Sequence, residues 1–143
     1  MNTLLRAVTA VLSIGAGVLH WDIWANHGYR STPVRELIVA SAVIGVIVGL
    51  VALIDRPRAA IPAVVANAAF LGAFALSRWT ELPTFHGGWS ESGLNPTDAT
   101  ILGVSTTLLL VLAEGLAVLC GLASVYFGRE PRAVPLPTDF ARA

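Results

Sequence analysis

Four stretches of the chain are almost unbroken runs of apolar residues: Ala7 to Trp24, Leu37 to Ile54, Ala59 to Ser77 and Ala99 to Phe127. Each is apolar on every side, without the polar face that a helix on the surface of a soluble core carries. A helix rises about 1.5 Å per residue, so roughly 20 residues cross the ~30 Å hydrocarbon layer of a bilayer, and each run is long enough to do so once. The pattern predicts an all-α, four-helix transmembrane bundle of up-down topology. Its polar connectors are Ala25 to Glu36, Asp55 to Arg58 and Arg78 to Asp98.

Local signals mark the ends of these elements. Thr32 before Pro33 reads as an N-cap followed by proline at the first helical position. Asn95-Pro96-Thr97-Asp98 reads as the same device at the start of the fourth helix. Pro57 and Pro62 bracket the start of the third. The short Asp55 to Arg58 link makes the second and third helices antiparallel neighbours. Past Gly128, Pro131, Pro135 and Pro137 oppose helix, so residues 128–143 are expected to form an extended, mobile tail.

Small and polar residues fall on one side of several spans. Ser41, Gly45, Gly49 and Ala52 recur at intervals of three and four in the second; Thr9, Ser13, Gly17 and His20 do so in the first. In the fourth, Gly103, Thr107, Glu114, Ala117, Gly121 and Ser124 share a side. Lipid tails give helices no hydrophobic reason to associate, so close approach through small side chains takes that role, and these stripes are expected to be seams within one bundle. Association of two copies along them is the alternative.

Composition agrees with this picture. Of 143 residues, 55% are hydrophobic and 13% charged, and the mean hydropathy is +0.73. With so much of the chain in spans, residues 1–127 form the only domain. The nine basic residues are all Arg and are balanced by nine acidic ones, with no basic patch that would suit nucleic acid. Placing Arg6, Arg56, Arg58, Arg129, Arg132 and Arg142 in the cytoplasm leaves only Arg30, Arg35 and Arg78 outside. The positive-inside rule then puts both termini in the cytoplasm of a multi-pass protein of the plasma membrane. The first apolar run continues into aromatic residues instead of a small-x-small cleavage site, so it is expected to remain as a helix. Cys120, the lone cysteine, excludes a disulfide or CxxC redox pair within the chain.

Glu114 stands near the middle of the fourth span, where a charge facing lipid costs several kcal/mol. It is therefore expected to face the bundle or to hold its proton. One reading is a neutral acid hydrogen-bonded to Thr107, Asn67 or a backbone carbonyl; the other is proton or cation handling. Asn67 in the third span is the candidate partner, and serves equally as interhelical glue.

The predicted outer face gathers all three histidines, His20, His27 and His86, and all four tryptophans, Trp21, Trp24, Trp79 and Trp89. Asp22, Glu36, Glu81 and Glu91 join them. Tryptophan favours the headgroup level, which accounts for the indoles on its own. His20 and His27 would be about 10 Å apart along one helix, too far to share an ion as a helical pair. A metal site would have to combine His20 with His86 and a carboxylate such as Glu81 or Glu91, and no known metal spacing is present; no metal is assigned. A haem bundle needs two histidines at one depth, and only His20 lies in a span. A two-cysteine quinone reductase is excluded by the single thiol. A four-helix multidrug exchanger would place its essential carboxylate in the first span, whereas here the mid-span carboxylate, Glu114, is in the fourth.

The first span ends in His20 with Gly28-Tyr29-Arg30 beyond, the third ends in Arg78-Trp79-Thr80-Glu81-Leu82-Pro83 with His86 and Trp89 following, and Glu114 lies in the last. In that order the chain resembles uncharacterised small four-span membrane proteins of actinobacteria. The resemblance covers most of the chain and implies its topology; no activity or cofactor comes with it.

Two functions fit the residues. The first is a non-catalytic membrane component, a partner subunit or homo-oligomer whose buried polar groups fix packing. The second is a small-molecule or proton-coupled transport or redox site opening to the outer leaflet. Glu114, His20, Asn67 and Asp22 would line it, and the loop with Glu81 and His86 would cover it. The first is the primary expectation.

Overall fold

The computed structural model describes residues 2–26, 32–56, 58–79, 100–101 and 104–128, without the side chains of 32–34, 77–79 and 100. The chain is all-α, a bundle of four helices: α1 (Asn2–Asn26), α2 (Thr32–Ala52), α3 (Ile61–Trp79) and α4 (Thr106–Phe127). Three of them, α1, α2 and α4, are long and apolar enough to cross a membrane, and α3 contributes a shorter apolar run, Ile61–Leu76. The helices follow one another around a ring, with α1 packed along α2 and α4, and α3 along α4 and α2. Across the diagonal α1 and α3 touch only briefly.

The residues on the outside of this ring are those that lipid would solvate. Leu108, Leu112, Leu116, Leu119 and Leu122 of α4 are exposed at helical spacing, as are Leu4, Val11 and Val18 of α1 and Val43, Ile47 and Leu50 of α2. In water such continuous apolar surface would drive aggregation; in hydrocarbon it is at home. Conversely, the buried positions hold small or polar residues: Ala10, Ala16, Ala42, Ala63 and Ala117 beside Thr9, Ser13, Asn67 and Ser124.

The seam between α1 and α2 depends on missing side chains. A Cβ on Gly17 would stand 2.7 Å from the Ala42 carbonyl oxygen, and one on Gly49 would stand 2.9 Å from that of Ala10. Only backbone fits there, which brings the two helices together over several turns. Of the predicted stripe, Gly45, Gly49 and Ala52 are buried and Ser41 is half-buried.

The fourth helix departs from its predicted boundary. In place of helix from Ala99, residues Thr100–Ile101 and Val104–Ser105 form a two-stranded antiparallel ladder, β1 and β2, in which Thr100 faces Ser105 and Ile101 faces Val104. The β-branched Thr100, Ile101 and Val104, with a glycine among them, favour strand over helix locally. Ser105 then caps α4, its hydroxyl accepting from the Leu108 N–H at 3.4 Å. The shift by seven residues changes the inner face: Thr106, not Thr107, is the buried threonine of α4. The predicted cap at Asn95 to Asp98 and the tail beyond Gly128 lie outside the described residues.

The opposite end of the bundle is tied by α1. Arg6, a buried guanidinium, donates through Nη1 to the carbonyls of Ile54 (2.9 Å) and Arg56 (3.1 Å) and through Nη2 to the exposed carboxylate of Asp55. These carbonyls belong to the link after α2, where the end of a helix leaves acceptors without intrahelical donors. Close by in the bundle, the Ser124 hydroxyl of α4 donates to the Asn2 side-chain oxygen of α1 at 2.7 Å. At its end α4 is closed by Gly128, whose N–H donates to the Ser124 carbonyl at 2.9 Å.

Candidate functional site

On α1, positions 9, 13, 16, 17, 20 and 23 follow the 3.6-residue period and are all buried; on α4, positions 106, 110, 114, 117, 121 and 124 do the same. The two inner faces run antiparallel along each other, and that register sets His20 of α1 opposite Glu114 of α4.

His20 is 9% exposed and Glu114 2% exposed. The His20 Nδ1 lies 3.0 Å from the Ala16 carbonyl oxygen, one turn back on its own helix. A carbonyl only accepts, so this contact assigns the hydrogen to Nδ1 and leaves Nε2 as the ring atom free to change its protonation. Nε2 points at Glu114, 3.8 Å from Oε1. Glu114 Oε1 is buried and has no hydrogen-bond partner among the described residues. Phe70 of α3 packs edge-on against the imidazole, with ring centres 5.5 Å apart and planes at 62°.

The pair can share one mobile proton. Neutral imidazole with a carboxylic acid, and imidazolium with a carboxylate, are both net neutral, so a proton can pass between Oε1 and Nε2 without placing net charge in an apolar interior. A second proton, or none, gives the pair one unit of net charge, on the imidazolium or on the carboxylate. The separation is longer than a hydrogen bond, so transfer requires a small rotation of either side chain or a bridging water.

Asn67 is fully buried, and its partner is Ser13. Its Nδ2 donates to the Ser13 hydroxyl at 2.9 Å and to the Ala63 carbonyl at 2.7 Å. The second bond fixes the amide orientation, since a carbonyl only accepts and so must face the NH2 group and not Oδ1. This contact spans the diagonal between α1 and α3. Its oxygen, Oδ1, is left without a partner among the described residues. Among the described residues no hydrogen bond joins Glu114 to Asn67 or Thr107, and its neighbour is His20, the histidine that the alternative functional reading sets beside it.

Asp22, two residues beyond His20, is turned to another side of α1 and accepts from Asn26 Nδ2 at 2.6 Å. Trp21 and Trp24 pack together with centres 4.6 Å apart, and the Arg35 guanidinium lies 5.5 Å over the Trp24 ring. His27, Glu81, His86, Trp89 and Glu91 lie outside the described residues, as does the Trp79 side chain. No group of three or more His, Cys, Asp or Glu residues able to hold a metal ion occurs among the described residues. Comparison with family models, with curated proteins and with solved structures finds no match to this chain.

Arg6 is the buried polar residue that sequence reasoning missed. It was read there only as a topological charge. A basic residue just before an apolar run, with a carboxylate, Asp55, in a short link elsewhere in the chain, is the signal that could have found it.

Proposed function

We propose that this chain is a multi-pass protein of the plasma membrane whose interior His20–Glu114 pair takes up and releases a proton, as the centre of proton-coupled transport. The observation that carries the reading is the convergence of His20 Nε2 on Glu114 Oε1, 3.8 Å apart, with the imidazole tautomer fixed from behind by Ala16. Ionisable groups inside an apolar bundle are retained where they act, and two of opposite character facing each other form an acid–base couple. The arginine asymmetry supports cytoplasmic termini, and the apolar outer surface supports the bilayer as solvent.

A bundle whose polar groups serve packing alone accounts for Ser13 with Asn67, for Asn2 with Ser124 and for Arg6 with the link after α2. It gives no account of Glu114, whose Oε1 satisfies no donor among the described residues. His86, Glu81 and Asp22 have no part in the proposed chemistry.

The test is infrared difference spectroscopy of the protein in lipid nanodiscs as pH is varied. A protonated carboxyl band that titrates, is missing in Glu114→Gln and is displaced in His20→Gln is the expected result. Absence of any titrating carboxyl band over the range in which the protein stays folded would overturn the reading. Reconstituted vesicles with a trapped pH dye supply the functional arm, in which both variants slow the response to an imposed pH gradient.

A further inference from the structure

Resting on that reading, we propose that Phe70 of α3 is a positioning residue for the pair: its ring holds the His20 imidazole in the orientation that aims Nε2 at Glu114. The pair does not hold itself. At 3.8 Å, Nε2 and Oε1 are beyond hydrogen-bond distance, so the carboxyl exerts no directional grip on the imidazole. The bond from Nδ1 to the Ala16 carbonyl is a single point of attachment. A ring fixed at one atom still rocks about it, because the outer side-chain torsion of histidine has a broad, roughly two-fold profile. Fixing the plane of the ring takes a second point of contact.

Phe70 supplies that contact. Its ring centre lies 5.5 Å from that of the imidazole with the planes at 62°, an edge-to-face arrangement in which aromatic rings attract. The imidazole is then bounded by its own helix at Ala16, by α4 at Glu114 and by α3 at Phe70. A phenyl ring suits the place chemically. It carries neither donor nor acceptor, so it constrains the imidazole without competing with Glu114 for Nε2.

The placement of Phe70 follows from the contact one turn away. Across the diagonal, where α1 and α3 touch only briefly, Ser13 meets Asn67 and His20 meets Phe70. Asn67 and Phe70 are three positions apart and share a face of α3; Ser13 and His20 are seven apart and share a face of α1. Asn67 is fully buried, with its amide tied to Ser13 at 2.9 Å and to Ala63 at 2.7 Å. Turning α3 about its axis would break the bond to Ser13 and carry Phe70 off the imidazole in the same motion. The bond that ties the diagonal thereby sets Phe70 against His20.

The experiment reads the imidazole directly, by solid-state nitrogen NMR of histidine-labelled protein in lipid bilayers, with the His20 signals identified by their loss in His20→Gln. Wild type is expected to give one narrow set, with the hydrogen of the neutral ring on Nδ1. Phe70→Leu keeps an apolar side chain but removes the ring; it is expected to broaden that set or split it between tautomers, and to slow the vesicle response to an imposed pH gradient by about tenfold, within the range that misplacing a reacting group produces. Phe70→Tyr keeps the ring and should keep the narrow set. Leu71→Ala truncates a half-buried neighbour turned about 100° around α3, and should leave the His20 signals and the response as in wild type. Wild-type signals in Phe70→Leu, or the same broadening in Phe70→Tyr or Leu71→Ala, overturn the proposal. If Phe70→Leu does not fold, Phe70→Met makes the same comparison. A wild-type protein with no titrating Glu114 carboxyl defeats the functional reading and this inference with it; a titrating carboxyl beside His20 signals indifferent to Phe70 defeats this inference alone.

Discussion

Gly17 and Gly45 meet backbone to backbone, so that a Cβ on Gly45 would stand 3.0 Å from the Gly17 Cα and 3.0 Å from the Ser13 carbonyl oxygen. No flexible side chain is available there to yield. Gly45→Val is expected to destabilise the bundle by about 1–3 kcal/mol through overpacking. Gly115, with nothing within 4 Å of its would-be Cβ, supplies the control: Gly115→Ala should be neutral or slightly stabilising. Thermal unfolding in detergent, followed by circular dichroism, separates the two.

Ser13 and Asn67 form the bond across the diagonal of the bundle, and a double-mutant cycle isolates it. Ser13→Ala, Asn67→Ala and the double variant should show a coupling of about 0.5–1.5 kcal/mol, the range of hydrogen bonds between membrane helices. Additive single effects in reversible unfolding would mean that Asn67 is held by Ala63 alone.

Arg6 and Asp55 should respond unequally to truncation. Asp55 is 94% exposed at its side chain, so Asp55→Ala removes a solvent-screened pair worth less than about 1 kcal/mol. Arg6→Ala also strips donors from the Ile54 and Arg56 carbonyls and empties a buried site, and should cost about 2–4 kcal/mol. Equal losses in melting measurements on the two variants would contradict this assignment.

Glu114→Gln keeps the size of the side chain and gives it a donor for His20 Nε2, so the variant should fold with stability within about 1 kcal/mol of the parent. Glu114→Lys places a cation beside His20 in an apolar interior and should reduce folded yield severely, a penalty of several kcal/mol. Monodispersity and melting temperature of the purified variants provide the measure. Gln as damaging as Lys would show that the carboxylate charge itself holds the bundle together.

Orientation is open to chemical labelling. With Cys120→Ser as background, Ser90→Cys should react with an impermeant maleimide in intact cells and Thr138→Cys should not, given six arginines on one side and three on the other. The reverse pattern would invert the assignment of both termini.

The apolar runs and their small-residue stripes were legible in the sequence because bilayer thickness and helical period act on each segment by itself. Glu114 was legible for the same reason, as one charge in one span. Its partner was legible only as one alternative among several. Whether Glu114 meets Asn67 or His20 depends on which helices are neighbours and how each is rotated, and neither is encoded within a single segment. The stripe Thr9, Ser13, Gly17 and His20 places the imidazole on the inner side of α1, and its side chain leans back along α1 toward Ala16, as helical side chains do. The start of α4 was misplaced because hydropathy does not distinguish an apolar strand pair from an apolar helix turn. Arg6 was hard to find because two of its three partners are main-chain carbonyls about fifty positions away, which leave no mark in side-chain pattern, and only Asp55 offers one.

The bond from Ser124 to Asn2 joins the first turn of α1 to the last turn of α4, 122 residues further along the chain. A polypeptide inserted into a membrane as it is synthesised presents α1 long before its counterpart exists. Until α4 has emerged, Thr9, Ser13 and His20 have no fourth wall, and the half-built assembly must keep those polar groups shielded by lipid headgroups, by water or by the insertion machinery. The inner face of α1 is therefore completed only once α4 has been made, and a chain interrupted before Ser124 would expose that polar face to the quality-control proteases of the membrane.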